Sequence, residues 1–272
     1  MTRARQAVVL AAVLGVIAAA WLWSTGTGWL TPDRAWSRIQ NERVLRVATD
    51  ASYPPFSAIG PDGAVFGLDV DLARALGERL GVDVRIENIT YDALLQAVAS
   101  ERVDLVISAF VGDLNQLDDA AYSDAYFVAG IRAVAPATDT VELDAQLPWV
   151  WARDRRLGVE YGSAGDVLTR QWSRRSSGIE AELYPTAAEA LDGLVAGQVQ
   201  AALVDAVTAY AFLGAQDGYR ATGPTLEPEP YVVVTGARSL RLLSEVNRLL
   251  QEMEADGSLP ALRERYLGQP GE

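Results

Sequence analysis

The chain has 272 residues and is 50% hydrophobic, which is enough to bury one large core or two smaller ones. Its 23 basic side chains are all arginine, and histidine, cysteine and lysine are absent. This composition excludes a Ser-His-Asp triad, a thiolate nucleophile, a disulfide, a Schiff-base lysine and the usual zinc sites. We therefore expect neither a metal nor a cofactor. With a formal net charge of −13, the protein is not expected to bind nucleic acid or an anionic membrane.

Residues 1–30 are predicted to be an export or anchoring segment. Two arginines precede an apolar run from Ala7 to Trp23 that is slightly short for a helix spanning a membrane. The alanines at 18–20 offer a cleavage site, whereas tryptophans at the end of the run suit a helix that stays in the membrane. A cleaved signal peptide and an N-terminal membrane anchor therefore both remain open, and each places the rest of the chain outside the cytoplasm.

The stretch from Leu45 to Leu72 predicts a strand, a stiff loop and a helix. Alternating apolar residues predict the strand, which ends at Asp50. Pro54-Pro55 stops strand pairing and stiffens the loop that follows. Asp69 is predicted to be the N-cap of the helix. Because ligands bind outside the carboxyl ends of strands in open α/β sheets, we expect a small polar ligand beside this loop.

A helix, a turn and a buried strand occur twice, which indicates two lobes of similar construction. The first copy, from Ala93, reads ALLQAVASERVDLVISA, and the second, from Ala190, reads ALDGLVAGQVQAALVD. Near the C-terminus, Ser239 is predicted to cap a long amphipathic helix. If this helix packs on the first lobe, the chain crosses between the lobes twice, near 132–136 and near 230–235. Two crossing strands predict a hinge with a cleft between the lobes.

Seven short motifs follow one another over about residues 43 to 268. They are Asp50-Ala51-Ser52-Tyr53-Pro54-Pro55-Phe56, Gly67-Leu68-Asp69-Val70-Asp71-Leu72, Val103-Asp104-Leu105-Val106-Ile107-Ser108, Tyr122-Ser123-Asp124-Ala125-Tyr126, Gly158-Val159-Glu160-Tyr161-Gly162-Ser163, Ala196-Gly197-Gln198-Val199-Gln200-Ala201 and Ala255-Asp256-Gly257-Ser258-Leu259. In this order they resemble the extracytoplasmic solute-binding proteins of polar amino-acid ABC importers, bacterial solute-binding protein family 3. The resemblance implies an α/β type II periplasmic-binding-protein fold: two lobes, each a mostly parallel sheet flanked by helices, joined by a two-strand hinge.

The expected domain organisation follows from these patterns and from the resemblance. After the leader, residues 31–42 are predicted to be a linker, residues 43–133 and 232–268 the first lobe, and residues 134–231 the second. The resemblance implies a monomer, periplasmic or otherwise extracytoplasmic, that binds a small polar ligand and delivers it to an ABC permease in the membrane.

Five of the candidate ligand-binding residues in the first lobe match the family pattern. By the resemblance, Tyr53 and Tyr91 fall where aromatic side chains wall the ligand, and Asp50 lies beside them. Ser108 and Phe110 lie on the loop after the third strand, which binds polar groups of the ligand in the family. These residues are expected to form one wall of the cleft.

The remaining candidates include one departure from the family pattern. Ser163 matches a residue whose hydroxyl and N–H hold a carboxylate, and Asp205 matches the acid that receives the ligand's amino group. Where the family usually places a carboxylate-clamping arginine, this chain has Gln116, and the preceding threonine position is Asp113. Gln116 supplies neither the charge nor the fork of arginine. We therefore expect a ligand that is cationic or lacks a standard free α-carboxylate.

Three function classes are compatible with the sequence. The leading interpretation is a non-enzymatic binding protein in which the ligand closes the hinge. The second is a sensory or scaffold ectodomain with a degenerate ligand site. The third is a periplasmic dehydratase-like enzyme on the same fold, in which only carboxylates and tyrosine are present for acid and base work.

Overall fold

The computed structural model describes residues 33–112 and 120–268. The predicted leader and two of the predicted site residues, Asp113 and Gln116, lie outside these ranges. Within them, no helix is long and apolar enough to cross a membrane.

Strands and helices alternate along most of the described chain. The strands are β1 (Val44–Thr49), β2 (Ser52–Tyr53), β3 (Ser57–Ile59), β4 (Val65–Phe66), β5 (Asp83–Asn88), β6 (Leu105–Val106), β7 (Ala120–Pro136), β8 (Arg156–Glu160), β9 (Glu180–Tyr184), β10 (Ala201–Asp205) and β11 (Tyr219–Gly236). The helices are α1 (Arg34–Glu42), α2 (Leu68–Leu80), α3 (Tyr91–Ala99), α4 (Pro148–Trp151), α5 (Ala164–Ser173), α6 (Ala187–Val195), α7 (Ala206–Ala215), α8 (Leu240–Ala255) and α9 (Ser258–Leu267).

Eight strands form one continuous sheet in the order β5-β1-β6-β11-β7-β10-β8-β9. At one end β5, β1 and β6 are parallel, and at the other end β10, β8 and β9 are parallel. Between these ends run the long strands β7 and β11, which pair antiparallel with each other. The two predicted parallel sheets are therefore present, and two crossing strands join them as the type II fold requires.

Each crossing lies at the point along its strand where the buried side chains stop packing in the core of one lobe and begin packing in the core of the other. On β7, Ala129 belongs to the first-lobe core and Ile131 to the second-lobe core. On β11, Leu226 belongs to the second-lobe core and Tyr231 to the first. The core of the second lobe thus extends from Ile131 to Leu226, whereas the second lobe was expected at 134–231.

Gly130 explains the position of the first crossing. Its φ angle is +129°, and a Cβ atom there would lie 2.6 Å from the carbonyl oxygens of both Leu226 and Glu227. Only glycine allows the two strands to approach this closely at such a backbone angle. The strand pairing also shifts register between Leu226 and Glu229, next to this contact.

Helix α7 packs against both lobes. Ala206 is buried in the first-lobe core, whereas Ala209 belongs to a cluster of the second lobe. The ring of Tyr210 lies 5.6 Å from the ring of Phe127 on β7, measured between centroids. This helix therefore bridges the lobes next to the crossing strands.

Part of the predicted linker 31–42 is a helix of the first lobe. Ala35 and Ile39 of α1 are buried in the first-lobe core. Asp33 is the N-cap, because its Oδ1 atom accepts a hydrogen bond from the Trp36 N–H at 2.9 Å. The prediction of a linker is wrong for these residues, because the apolar face of this short helix is buried against the first lobe.

Of two predicted helix caps, Ser239 occupies the predicted N-cap position without a side-chain bond, and Asp69 is not the N-cap. Ser239 makes no side-chain capping bond at the start of α8; instead, Oδ2 of Asp33 accepts from the N–H groups of Arg241 and Leu242. At the start of α2 the N-cap position is Gly67, and Asp69 is one of the most buried polar residues of the first lobe. Asp69 lies in the first turn and faces the core, so its carboxylate bonds to other elements.

Candidate ligand-binding cleft

Four predicted site residues of the first lobe form one cluster. The Asp50 carboxylate accepts a hydrogen bond from the Tyr91 N–H at 2.7 Å, and the Asp50 N–H donates to the Ser108 hydroxyl at 2.9 Å. The ring of Tyr91 stacks on the ring of Phe110 with centroids 5.4 Å apart. The ends of β1 and β6 and the start of α3 are thereby held together. Asp50 also serves the fold, because it supplies an acceptor to the first turn of α3.

Tyr53 belongs to a separate group of aromatic side chains in the first lobe. Its ring is 47% exposed and stacks on buried Phe56 with centroids 5.6 Å apart. Burial and a hydrogen bond with Tyr53 raise the pKa of Tyr231, so Tyr231 is a neutral phenol at physiological pH. Burial also raises the pKa of Tyr91. The first lobe therefore offers uncharged aromatic surfaces to the cleft.

Ser163 and Asp205 each cap a helix of the second lobe. The Ser163 hydroxyl accepts from the Asp166 N–H at 3.3 Å, and its own N–H donates to the Glu160 carbonyl at 3.1 Å. Oδ1 of Asp205 accepts from the Thr208 N–H at 2.9 Å. In this structure the Ser163 N–H is thus engaged within the protein, although the predicted role requires it to hold a carboxylate.

A cavity of about 200 Å³ lies between the lobes at the crossing strands. It brings together Tyr53 and Asp205, which come from opposite lobes, and the backbone of Gly130 forms part of its floor. The side chains that matter for its chemistry are those of Tyr53, Tyr231, Asp205, Glu227 and Glu229. Ala164, next to Ser163, also lines the cavity, so the N-terminus of α5 reaches it.

The lining of this cavity is strongly acidic. Asp205, Glu227 and Glu229 contribute three carboxylates, and none of the described lining residues is arginine, the only basic residue type in the chain. Within the described ranges, no group of three or more acidic side chains has the geometry to hold a metal ion. The described lining therefore carries net negative charge, and the N-terminus of α5 contributes the partial positive charge of a helix end.

Glu227, Glu229 and Tyr231 are lining residues that the sequence analysis missed. They lie at or just before the crossing predicted near 230–235, and the two glutamates belong to a segment where acids alternate with prolines and no hydrophobic pattern is present. The one available signal was the predicted crossing near 230–235, because a segment that crosses between lobes must pass the cleft.

Comparisons with known proteins find a matching family and several relatives. The family described as bacterial extracellular solute-binding proteins, family 3, matches residues 45–269. The L-cystine-binding protein TcyJ of Escherichia coli (strain K12) is 26% identical over 261 residues, which are 94% of this chain and 95% of that protein. The histidine-binding periplasmic protein of the same organism is 26% identical over 231 residues, with 82% and 86% of the two chains covered.

Solved structures show the same fold. The L-cystine solute receptor of Neisseria gonorrhoeae, in its unliganded open conformation, matches with a TM-score of 0.71 and 21% identity over 86% of this chain and 96% of that one. An ancestral cyclohexadienyl dehydratase matches with a TM-score of 0.70 and 23% identity over the same shares. The expected two-lobed fold is confirmed. Because the family match spans most of the sequence, this chain belongs to the bacterial extracellular solute-binding proteins, family 3.

Proposed function

We propose that this protein captures a cationic amino acid or a related amine in the cleft between its lobes and delivers it, as a periplasmic or otherwise extracytoplasmic monomer, to an ABC import permease. The observation that carries the proposal is the cavity at the crossing strands, which three acidic residues and two tyrosines line without a basic residue in the described lining. A charge-assisted hydrogen bond to such a carboxylate is strong inside a closed cleft.

The chemistry of the named relatives is consistent with this proposal. Those reported above are named for cystine and histidine, which both carry amino groups. The volume of about 200 Å³ is below the range of pockets for drug-sized molecules, so a ligand of amino-acid size is favoured. Asp205 would receive an amino group, Glu227 and Glu229 a second cationic group, and the N-terminus of α5 a carboxylate where the ligand has one.

The hinge supplies the mechanism of capture. Tyr53 and Asp205 belong to different lobes, so a ligand that contacts both gains more in the closed state than in the open state. Bending at the two crossings changes the distance between the lobes, and the packing of α7 against both lobes adjusts with it.

A thermal-shift screen tests the proposal. L-arginine, L-ornithine and putrescine are the cationic probes, and L-glutamate and L-leucine are the acidic and neutral controls. A cationic ligand present at a hundred times its dissociation constant stabilises the folded state by about 2.7 kcal/mol. Stabilisation by L-glutamate alone would overturn the cationic assignment. No stabilisation by any amine or amino acid would favour the scaffold alternative.

The enzyme alternative has its own test. The relatives reported above are named as binding proteins, whereas one structural neighbour is an ancestral dehydratase at an identity that shows only the fold. Incubation of the purified protein with prephenate, followed by product detection, distinguishes the two. Turnover that is lost in Asp205→Asn would establish an enzyme, and we expect none.

A further inference from the structure

A buried tyrosine hydroxyl supports the loop after β6, which carries two of the candidate ligand-binding residues. The Tyr126 side chain on β7 is fully buried, and its hydroxyl donates a hydrogen bond to Oδ1 of Asp69 at 2.6 Å. The same hydroxyl accepts a hydrogen bond from the Ala109 N–H at 3.0 Å. One phenol therefore connects the crossing strand, the start of α2 and the loop after β6.

The loop at Ala109 needs such a support. Ala109 has a φ angle of +44°, a left-handed conformation that is unfavourable for a residue with a Cβ atom. Its neighbours in sequence are Ser108 and Phe110, the two candidate ligand-binding residues on this loop. Their positions depend on the backbone angle between them, so a bond that fixes Ala109 also fixes the wall of the cleft.

Asp69 is itself fixed by a second bond. Oδ2 of Asp69 accepts from the Ser57 hydroxyl at 3.3 Å, and Ser57 in turn lies 2.6 Å from the Thr49 hydroxyl at the end of β1. Burial raises the pKa of Asp69 to about 6, against the lowering effect of its interactions with Tyr126, Ser57 and the Ala109 N–H. The titratable groups that face this carboxylate are the phenols of Tyr126 and Tyr231.

We propose that Tyr126 and Asp69 are positioning residues for the ligand site: the Tyr126 hydroxyl, oriented by the Asp69 carboxylate, holds Ala109 in its left-handed conformation and thereby sets Ser108 and Phe110 against the ligand. Tyr126 lies four residues before Gly130 on the same strand, so the support connects the wall of the cleft with the hinge strand. The role of Ser108 and Phe110 in contacting the ligand rests on the proposed function. The support of Ala109 by the Tyr126 hydroxyl does not depend on it.

Hydrogen–deuterium exchange in the ligand-free protein tests the support directly. Tyr126→Phe keeps the ring and removes the hydroxyl, so the Ala109 amide loses the acceptor 3.0 Å away and keeps only its interaction with the Asp69 carboxylate, and it should exchange about two- to tenfold faster. The matched control is Tyr266→Phe, which removes a hydroxyl that donates to Asp71 at 2.6 Å elsewhere on α2. We expect the control to leave Ala109 unchanged and the amides of α8 to exchange at the wild-type rate in both variants. Wild-type exchange at Ala109 in Tyr126→Phe overturns the proposal.

Calorimetric titration with L-arginine tests the consequence for binding. Tyr126→Phe should weaken binding about tenfold and Tyr266→Phe should not. Equal affinities of wild type and Tyr126→Phe would overturn the positioning role. If the wild-type protein binds none of the cationic probes, the proposed function fails, and the exchange experiment still decides whether Tyr126 supports the loop.

The pH profile distinguishes positioning from a general loss of stability. An ionised Asp69 makes the Tyr126 oxygen a better acceptor for the Ala109 N–H, because charge-assisted bonds in a chain polarise one another. The affinity of the wild-type protein for L-arginine, relative to that of Asp69→Asn, should therefore rise at least about twofold between pH 5 and pH 7. A constant ratio over this range contradicts the role assigned to Asp69.

Discussion

Tyr53 and Asp205 line the same cavity, although Tyr53 belongs to the first lobe and Asp205 begins a helix of the second. Each of the two side chains is partly exposed at the end of a strand, and only together do they mark the cleft between the lobes. A ligand that bridges them holds the lobes together. Their contributions to binding and to folding can be separated by the choice of substitution.

Asp205→Asn should weaken the binding of L-arginine about tenfold or more, because a bond to a charged group becomes a bond to a neutral one. Asparagine is as good an N-cap as aspartate, so α7 and the free energy of unfolding should change little. Titration calorimetry and urea unfolding measure the two effects. Asp192→Asn, on the exposed face of α6, removes the same charge as a control. Equal affinity of the two variants would refute the role of Asp205.

Glu229→Gln tests a residue that the sequence analysis missed. The carboxylate lines the cavity next to Tyr231, so its loss should reduce the affinity for L-arginine more than the affinity for a ligand with a single amino group. The comparison requires titration of both ligands against wild type and variant. An equal reduction for both would show that Glu229 acts only through the net charge of the cleft.

Gly130→Ala should destabilise the protein by at least about 2 kcal/mol, because the new Cβ atom would lie 2.6 Å from two carbonyl oxygens at a φ angle of +129°. Gly162→Ala is the control, since its φ angle is +76° but a Cβ atom there meets nothing within 4 Å. The control should cost only the backbone strain of roughly 1–2 kcal/mol. Urea unfolding compares them, and equal losses would contradict the close approach at the hinge.

Stability should depend on pH through Asp69. Burial raises the pKa of Asp69 to about 6 in the folded protein, from about 4 in an unfolded chain. Between these values the native state binds more protons than the unfolded state, so the free energy of unfolding contributed by Asp69 falls as the pH rises from about 4 to about 6. The total effect is about 3 kcal/mol, at 1.36 kcal/mol per pKa unit. Unfolding at several pH values should show this decrease in wild type, and the difference between wild type and Asp69→Asn isolates it from other carboxylates.

Asp33→Ala should destabilise the first lobe by about 1–3 kcal/mol, because Asp33 caps α1 through one oxygen and supplies an acceptor to α8 through the other. Ser239→Ala is the matched control at the start of α8 and should be nearly neutral, since its side chain makes no capping bond. Thermal unfolding of both variants measures this. A larger loss in Ser239→Ala would reverse the assignment of the cap.

The elements that could be predicted are those that residues close to one another in sequence determine. The repeated helix, turn and strand are present as α3 with β6 and α6 with β10. The crossing at Gly130 could not be placed to the residue, because the atoms that require glycine belong to carbonyl groups nearly a hundred positions later.

The candidate site was predictable to a similar extent. Tyr53 and Asp205 follow strands with clear patterns, and the structure brings them to one cavity. The acids of the crossing segment have no local signal. Asp69 has the sequence features of a cap, and only the inward direction of the first turn of α2 gives it a buried partner on β7. Asp113 and Gln116 lie outside the described residues and stay predictions.

Because the second lobe is inserted between Gly130 and Leu226, α1 and α9 at the two ends of the described chain both belong to the first lobe. A fluorescent protein fused at either end would be carried by the first lobe. A dye placed on the second lobe would then move relative to it when the hinge bends. Since the sequence contains no cysteine, a single engineered thiol would be labelled uniquely, and the protein could be developed into an optical reporter of its own ligand.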